Sequence, residues 1–334
     1  MRILVTGGAG FIGSNFIRHV LSKHPEYKIM NLDKLTYAGN LDNLKDVERN
    51  SNYQFIKGDI CDSKLVENLL KQKTDAVIHF AAETHVDRSL YDPEVFIKTN
   101  VLGTQILLEA GSKYKIERFI QISTDEVYGS SGEKGDFTEE SPLIPNSPYA
   151  ASKAGADLLI RSYIKTFDFP GIITRSCNNY GPYQFPEKLI SLFITNALED
   201  KELPLYGDGL YVRDWIYVED HCEAIDLILH KGRLGETYNV SSNEEKTNLD
   251  ITRLILDNLK KPKSLVKHVK DRPAHDRRYA LNSDKIRNEL GWEPEISFEQ
   301  GMKLTIDWYF KNKAWWQKVK SGEYLKYYQK HYLK

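Results

Sequence analysis

Cysteine is scarce: Cys61, Cys177 and Cys222 are the three in a chain of 334 residues. They are odd in number and unpatterned, which excludes a disulfide framework or a cysteine-based metal spacing. No metal is expected, and reduced thiols point to a cytosolic (cytoplasmic) setting. Long hydrophobic runs are also missing, so no segment is expected to span a bilayer. The apolar start MRILVT has neither a basic stretch nor a cleavage site ahead of it, and no signal peptide is expected. Net charge is close to nil at −1, which lends no support to nucleic-acid or membrane partners. Repeats and low-complexity tracts are absent. What remains is a globular composition with 41% apolar residues, enough for one large or two unequal domains. The basic C-terminal stretch, Lys318 to Lys334, is interleaved with tyrosines and reads as an amphipathic surface helix.

What is present begins at the first residue. Met1 to Thr6 reads as a buried parallel strand. Gly7, Gly10 and Gly13 follow in GGAGFIG, and Ser14 to Ser22 reads as a helix. Glycines at this spacing allow a tight turn, a close approach of a pyrophosphate to the backbone, and close helix–strand packing. The anion then rests on the helix N-terminus. A second strand, Lys28 to Leu32, ends in Asp33, twenty residues past Gly13, where a carboxylate accepts hydrogen bonds from an adenosine ribose. That carboxylate repels a 2′-phosphate, so NAD is favoured over NADP; Lys34 is the opposing signal, and capping of the loop is the structural alternative for Asp33.

Further strands are predicted at Tyr53–Ile56, Asp75–Phe80, Arg118–Ser123 and Gly171–Arg175, with helices near Ser63–Gln72 and Pro93–Tyr114 between them. This alternation predicts an α/β fold, a Rossmann-type doubly wound parallel sheet with right-handed crossovers. Polar clusters fall at the strand ends, where such sheets bind ligands: Asp59, within reach of an adenine edge, then Ala81-Ala82-Glu83 and Thr124-Asp125-Glu126. In SPYAASKAGAD, Ser147 and Pro148 read as N-cap and first helical residue. Tyr149 and Lys153 are then four apart on one helix face. A tyrosine holds its proton to a pKa of roughly 10, and a lysine cation beside it favours the phenolate and makes a usable base. Two adjacent acids suit acid–base work when burial and mutual repulsion push their pKa values apart; capping of the loop is the alternative role for Asp125 and Glu126.

After about residue 170 the chain turns to short strands, loops and prolines. The expected division is 1–175 as a dinucleotide-binding domain and 176–334 as a smaller ligand-capping region. Asp214–Val218 and Thr237–Val240 read as strands there, and one or two elements return to the main sheet. The segments Pro93–Tyr114 and Pro148–Phe167 carry apolar residues widely around their circumference, among them Leu102 and Leu158. Such helices are buried on more than one side, and one side is a candidate homodimer seam.

The Gly7/Gly10/Gly13 pattern, the Tyr149/Lys153 pair and the C-terminal half together resemble the extended short-chain dehydrogenase/reductase family over nearly the whole chain. The stretches AAETHVDRS (81–89), STDEVYG (123–129), NNYGPYQFPEKLI (178–190), YGDGLYVRDWIYVEDH (206–221) and DRPAHDRRYAL (271–281) are similar to its nucleotide-sugar 4,6-dehydratases. Two departures, Thr84 for a usual serine and Ala274 for a usual glycine, remove no catalytic group. The resemblance implies bound NAD, recycled within each turnover. It implies a dTDP-linked glucose converted to the 4-keto-6-deoxy sugar by C4 oxidation, loss of water across C5 and C6, and reduction at C6. It gives Tyr149 the role of base at the C4 hydroxyl, supported by Thr124 and Lys153, Glu126 that of base at C5, and Asp125 that of acid at C6. It places Phe11, Ile12, Lys34, Thr36, Asp59, Ile60, Ala81, Ala82, Glu83, Thr99 and Asn179 with Gly7, Gly10, Gly13, Asp33, Tyr149 and Lys153 around the cofactor. It places His85, Thr124, Asn178, Glu187, Lys188, Leu189, Pro204, Tyr206, Arg213, Asn248, Arg272, His275 and Tyr279 around the nucleotide sugar. Competing readings are an epimerase or decarboxylase of nucleotide sugars, or a non-catalytic NAD-sensing protein on the same fold.

Overall fold

The computed structural model describes residues 1–132, 134–271, 273 and 275–321. Arg272, Ala274 and the tail beyond Ser321, including most of the expected C-terminal surface helix, lie outside the described residues. The chain runs β1 (Arg2–Thr6), α1 (Phe11–Lys23), β2 (Lys28–Asp33), β3 (Tyr53–Lys57), α2 (Ser63–Leu70), β4 (Ala76–His79), α3 (Val86–Tyr91), α4 (Pro93–Phe96), α5 (Gly103–Tyr114), β5 (Arg118–Thr124), α6 (Pro148–Phe167), β6 (Gly171–Ser176) and β7 (Asn178–Tyr180). It continues through α7 (Leu189–Leu198), β8 (Leu203–Tyr206), β9 (Val212–Tyr217), α8 (Val218–Lys231), β10 (Thr237–Val240), β11 (Glu245–Thr247), α9 (Asn248–Leu259), β12 (Val266–Val269), α10 (Asp284–Leu290), α11 (Phe298–Lys311) and α12 (Lys313–Val319).

Seven strands form the main sheet in the order β10-β6-β5-β4-β1-β2-β3, and every pairing in it is parallel. Alternation along the strands sorts side chains to two faces. Ile3, Val5, Ile78 and Ile120 join Phe16 and Ile17 of α1 and Ile225 of α8. Leu4, Val77 and Phe119 join Val66 of α2, Leu107 of α5 and Ile160 of α6. The sheet is therefore covered on both sides, which is why its strands read as nearly unbroken apolar runs. The order reverses on either side of β1, between β4 and β2, and a ligand crevice opens at such a switch point.

The C-terminal half has a separate core built on Ile190, Phe193, Trp215, Ile255 and Trp316, beneath a three-stranded sheet, β11-β9-β7, and a two-stranded one, β12-β8. Meanwhile β10 extends the main sheet beside β6. The halves thus share a sheet edge, and the polypeptide crosses between them more than once.

Two local features depart from the sequence reading. Helix α1 starts at Phe11, three residues before the expected Ser14, so its amides begin inside the glycine turn. The expected continuous helix Pro93–Tyr114 carries a π-helical stretch, Ile97–Leu102. Buried Asn100 explains it: its side chain accepts from Glu83 N at 2.8 Å and donates to Glu83 O at 3.0 Å and Ser152 Oγ at 2.9 Å. Widening the turn lets this clamp join the loop after β4 to α6.

Sequence spacing shows no metal pattern, yet the seam between α1 and α8 gathers His19, His24, Glu223, Asp226 and His230. The Lys23 ammonium already sits there, 2.5 Å from Glu223 and 3.1 Å from Asp226. A resident cation of the chain's own thus occupies the cluster.

Candidate active site

The glycine turn is fixed by contact as well as conformation. Gly7 has φ +72°, and a Cβ there would lie 2.5 Å from Ala81 N; one on Gly13 would lie 2.5 Å from Gly7 O. No side chain fits either place, and the backbone stays open to a large anion at the α1 N-terminus. From this turn a cleft of about 330 Å³ runs along the carboxyl ends of β1, β2, β4 and β5. All the residues assigned to the cofactor from sequence line it: Gly7 and Gly10 to Gly13 in the turn, Asp33, Lys34, Thr36, Asp59 and Ile60 after β2 and β3, Ala81 to Glu83 and Thr99 after β4, and Tyr149, Lys153 and Asn179 from α6 and β7.

Asp33 both lines the cleft and caps the chain, accepting from Ala9 N at 2.9 Å and Leu35 N at 2.8 Å. Burial raises its pKa, and those two bonds pull it back. Lys34, the signal that favoured a 2′-phosphate, is committed to Asp59 at 2.7 Å. The end that would receive the adenosine ribose therefore presents a carboxylate and a neutralised lysine, a donor set that fits NAD better than NADP.

At the other end, β5 delivers Thr124 as the cap of a short 3₁₀ turn, Asp125–Tyr128, its hydroxyl accepting from Glu126 N at 3.3 Å. Tyr128 anchors that turn, donating to Asn239 Oδ1 at 2.8 Å and accepting from Arg175 at 2.8 Å. Arg175 is held in turn by Asp157 of α6 at 2.9 Å. Asp125 is 2% exposed, and its Oδ2 has no hydrogen-bond partner among the described residues. Its Oδ1 accepts the Thr124 hydroxyl at 3.1 Å. Burial, then the charge of Glu126, push its carboxyl up to about 8, against the pull of Arg213. Asp125 is thus a protonated acid at neutral pH, while Glu126 stands where the cleft meets a second chamber.

Ser147 caps α6 through Ala150 N at 3.1 Å, with Pro148 at its start, and Tyr149 and Lys153 enter the same cleft. Their electrostatics differ from the sequence expectation. Tyr149 is pushed well above its ordinary pKa, by burial first and then by Glu126. Lys153 donates to Ile122 O at 2.6 Å, and burial lowers it to about 8. For Tyr149, desolvation and the charge of Glu126 outweigh the Thr124 hydrogen bond that favours the phenolate.

The second chamber, about 130 Å³, is lined by His85, Asn178, Glu187, Lys188, Leu189, Pro204, Tyr206, Arg213, Asn248 and His275. It draws these from β7, α7, β8, β9 and α9, from the cap of α3, and from the loops that carry Glu187 and His275, all far apart in sequence. Burial holds His85 down at about 4, so it is neutral. Tyr279 lines neither chamber; it lies under the Arg213 guanidinium at 4.4 Å and donates to Asp276 at 2.6 Å, so it orients that arginine. Arg272, assigned with this group, lies outside the described residues. Sequence reading missed Tyr37, near the cleft in the loop after β2, and Phe185 and Trp215 on its walls. Aromatics two residues before a glycine (Tyr37 in TYAG) and beside a proline (Phe185 in QFPE) were the available signal.

A glycine-cradled crevice at the switch point of a parallel sheet, with a Tyr-x-x-x-Lys helix at its end, defines the extended short-chain dehydrogenase/reductase class. The chain belongs to the GDP-mannose 4,6 dehydratase family, whose model matches residues 4–305. It is 52% identical to a dTDP-glucose 4,6-dehydratase of Xanthomonas campestris over 96% of each chain. The crystal structure of a Bacillus anthracis dTDP-glucose 4,6-dehydratase in complex with NAD superposes with a TM-score of 0.90 at 53% identity, covering 96% of this chain and 99% of that one. A UDP-glucose 4-epimerase of Thermotoga maritima shares the fold at a TM-score of 0.87 but only 31% identity, over 94% of this chain and 100% of that one.

Proposed function

We propose that this chain is an NAD-dependent dTDP-glucose 4,6-dehydratase. The observation that carries the reading is the buried, protonated Asp125 beside Glu126 in the same cleft as Tyr149 and Lys153. An epimerase needs only the tyrosine–lysine pair; elimination of water needs one acid and one base more.

NAD, when bound, would supply a hydride acceptor at the sugar C4 and, once reduced, a hydride donor at C6. The glycine turn holds the pyrophosphate, and Asp33 holds the adenosine ribose. Lys153 would hold the nicotinamide ribose and stand as the positive neighbour of the Tyr149 phenolate. Tyr149 removes the C4 hydroxyl proton, and Thr124 orients the same oxygen. The C4 ketone acidifies the C5 proton, which Glu126 takes. Asp125 hands its proton to the departing C6 hydroxyl, and water leaves. As hydride reaches C6, Glu126 returns its proton to C5, and the C4 oxygen is left as the product's ketone.

Arg213, seated on Tyr279, is assigned to the pyrophosphate of the nucleotide sugar, where a guanidinium fork suits the anion. Arg272, Asn248 and His275 are assigned beside it. Tyr206, Pro204 and Leu189 flank the nucleotide, with Asn178, Glu187 and Lys188 toward the sugar. The thymidine preference rests on the likeness to the curated relatives. A cytosolic setting is supported by three free cysteines, and no helix of the described residues is long and apolar enough to cross a membrane. A homodimer is supported by Leu90, Tyr91, Ile97, Leu102 and Leu158, apolar side chains 40–54% exposed on α3, the π-helical stretch and α6.

Mass spectrometry of dTDP-glucose and UDP-glucose after incubation with the protein and NAD tests the reading. Loss of one water from the thymidine sugar, with no net NADH, is expected. An unchanged mass with altered stereochemistry means an epimerase, and no change in any sugar alongside tight NAD binding means a sensor.

A further inference from the structure

The loop at residues 34–39 leaves β2 and crosses the cofactor cleft with both ends tied to one residue. Asp33 at its start accepts from Ala9 N at 2.9 Å, and Asn40 at its end donates to Ala9 O at 3.0 Å. Ala9 belongs to the glycine turn, so the loop's two feet stand on the pyrophosphate cradle. Lys34, Thr36, Ala38 and Gly39 line the cleft from this loop. Leu35 holds φ +57°, a conformation unfavourable for a side chain of that type. Its backbone N–H donates to Asp33 Oδ1 at 2.8 Å and keeps it there.

Tyr37 at the tip reaches the opposite half of the molecule. Its ring meets Phe185 edge-on at 5.5 Å, and the Arg88 guanidinium lies 3.7 Å above its centroid. Arg88 is pinned by Glu187 at 3.0 Å, and the Glu187 side chain is 2% exposed. Nearby, Lys188 donates to Thr84 O at 3.2 Å and closes the same seam a second time. Three segments far apart in sequence therefore meet on one tyrosine ring, across the crevice that has to open for a dinucleotide to leave.

We propose that residues 34–39 are a cofactor-retaining strap, with the Tyr37 ring as its latch and Arg88 and Phe185 as its catch. The inference rests on the NAD-dependent reading. A cycle in which the cofactor is oxidised again at the end of each turnover needs the reduced form kept in place between the two half-reactions. Tyr37 and Arg88 are positioning residues; neither touches the reacting atoms.

The test uses purified protein loaded with NAD, then desalted, with bound nucleotide measured by chromatography of the denatured sample and its release followed after dilution. Tyr37→Ala and Arg88→Met are expected to release NAD on the order of tenfold faster than the parent, the scale of one lost cation–π contact. Their activity should fall at trace NAD and recover when NAD is supplied in excess. Tyr37→Phe keeps the ring and should retain NAD like the parent. Should Tyr37→Ala fold poorly by thermal melting, Arg88→Met, which keeps its aliphatic stem, carries the same comparison. Unchanged release from a folded Arg88→Met overturns the strap, as does equal loss from Tyr37→Phe and Tyr37→Ala. Because release is measured without substrate, failure of the strap is distinct from failure of the dehydratase reading, which would show as sound retention with no dehydration.

Discussion

Asp125 concentrates the chemistry of the site in one carboxyl. Buried, flanked by the charge of Glu126 and with one oxygen unsatisfied among the described residues, it holds its proton up to about 8. Asp125→Asn is expected to lower the dehydration rate by roughly 10²–10⁴-fold, the usual contribution of a positioned acid. C4 oxidation should survive, so enzyme-bound NADH absorbance should accumulate in stopped-flow traces. In the parent, dehydration should fall as pH rises through about 8, where the acid loses its proton. Stability carries the same signature. A carboxyl whose folded pKa lies above its unfolded value of roughly 3.9 favours the folded state below that value and progressively less as pH rises toward about 8. Melting curves should therefore show Asp125→Asn gaining on the parent between pH 4 and pH 8, with the gap closing on the acid side.

At the scale of elements, the seam of α1 and α8 depends on Asp226. Burial works against its charge, but His24 at 3.0 Å and Lys23 at 3.1 Å, with His19 farther off at 3.8 Å, outweigh burial and hold it well below the usual carboxylate range. A depressed carboxylate stabilises the fold above its unfolded pKa and loses that contribution as pH falls through the folded one. Asp226→Asn is expected to cost about 2 kcal/mol at neutral pH, the scale of charge-assisted hydrogen bonds. In urea titrations that cost should shrink in acid. The end of β2 controls cofactor choice in a comparable local way. With Lys34 tied to Asp59, Asp33→Ala should weaken NAD binding and narrow its preference over NADP, read by titrating both. The pairing with Asp59 was invisible in sequence because the partners are brought together by the parallel register of β2 and β3.

For the whole molecule, the proposed dimer turns on the exposed apolar side chains of the π-helical stretch and α6. Leu102→Glu with Leu158→Glu is expected to give a monomer in light scattering, where the parent gives a dimer, because two charges cannot be buried unpaired across a seam. The parent appearing as a monomer at micromolar concentration overturns the dimer. Burial within the subunit divides these helices: Leu107 and Ile160 face the sheet core, whereas Leu102 is 46% and Leu158 54% exposed. Apolar content around the helices suggested two buried sides; only packing shows which residues serve which side.

The sequence by itself determined what is local or periodic. Glycine spacing specified the turn after β1, the alternation of apolar strands and helices specified a parallel sheet, and Ser147-Pro148 specified the start of α6. These are decided by steric limits, hydrogen-bond satisfaction and burial within a few residues of each signal. Tertiary structure alone decided the rest. It gathered the second chamber from distant strands, helices and loops, set the π-helical turn through the Asn100 clamp, closed a loop over the cofactor crevice with Tyr37, and reversed the expected direction of the Tyr149 shift. Each of these depends on desolvation or on contacts between distant segments. Neither exists until the sheet has formed, because only then are the groups removed from water and brought within reach of one another.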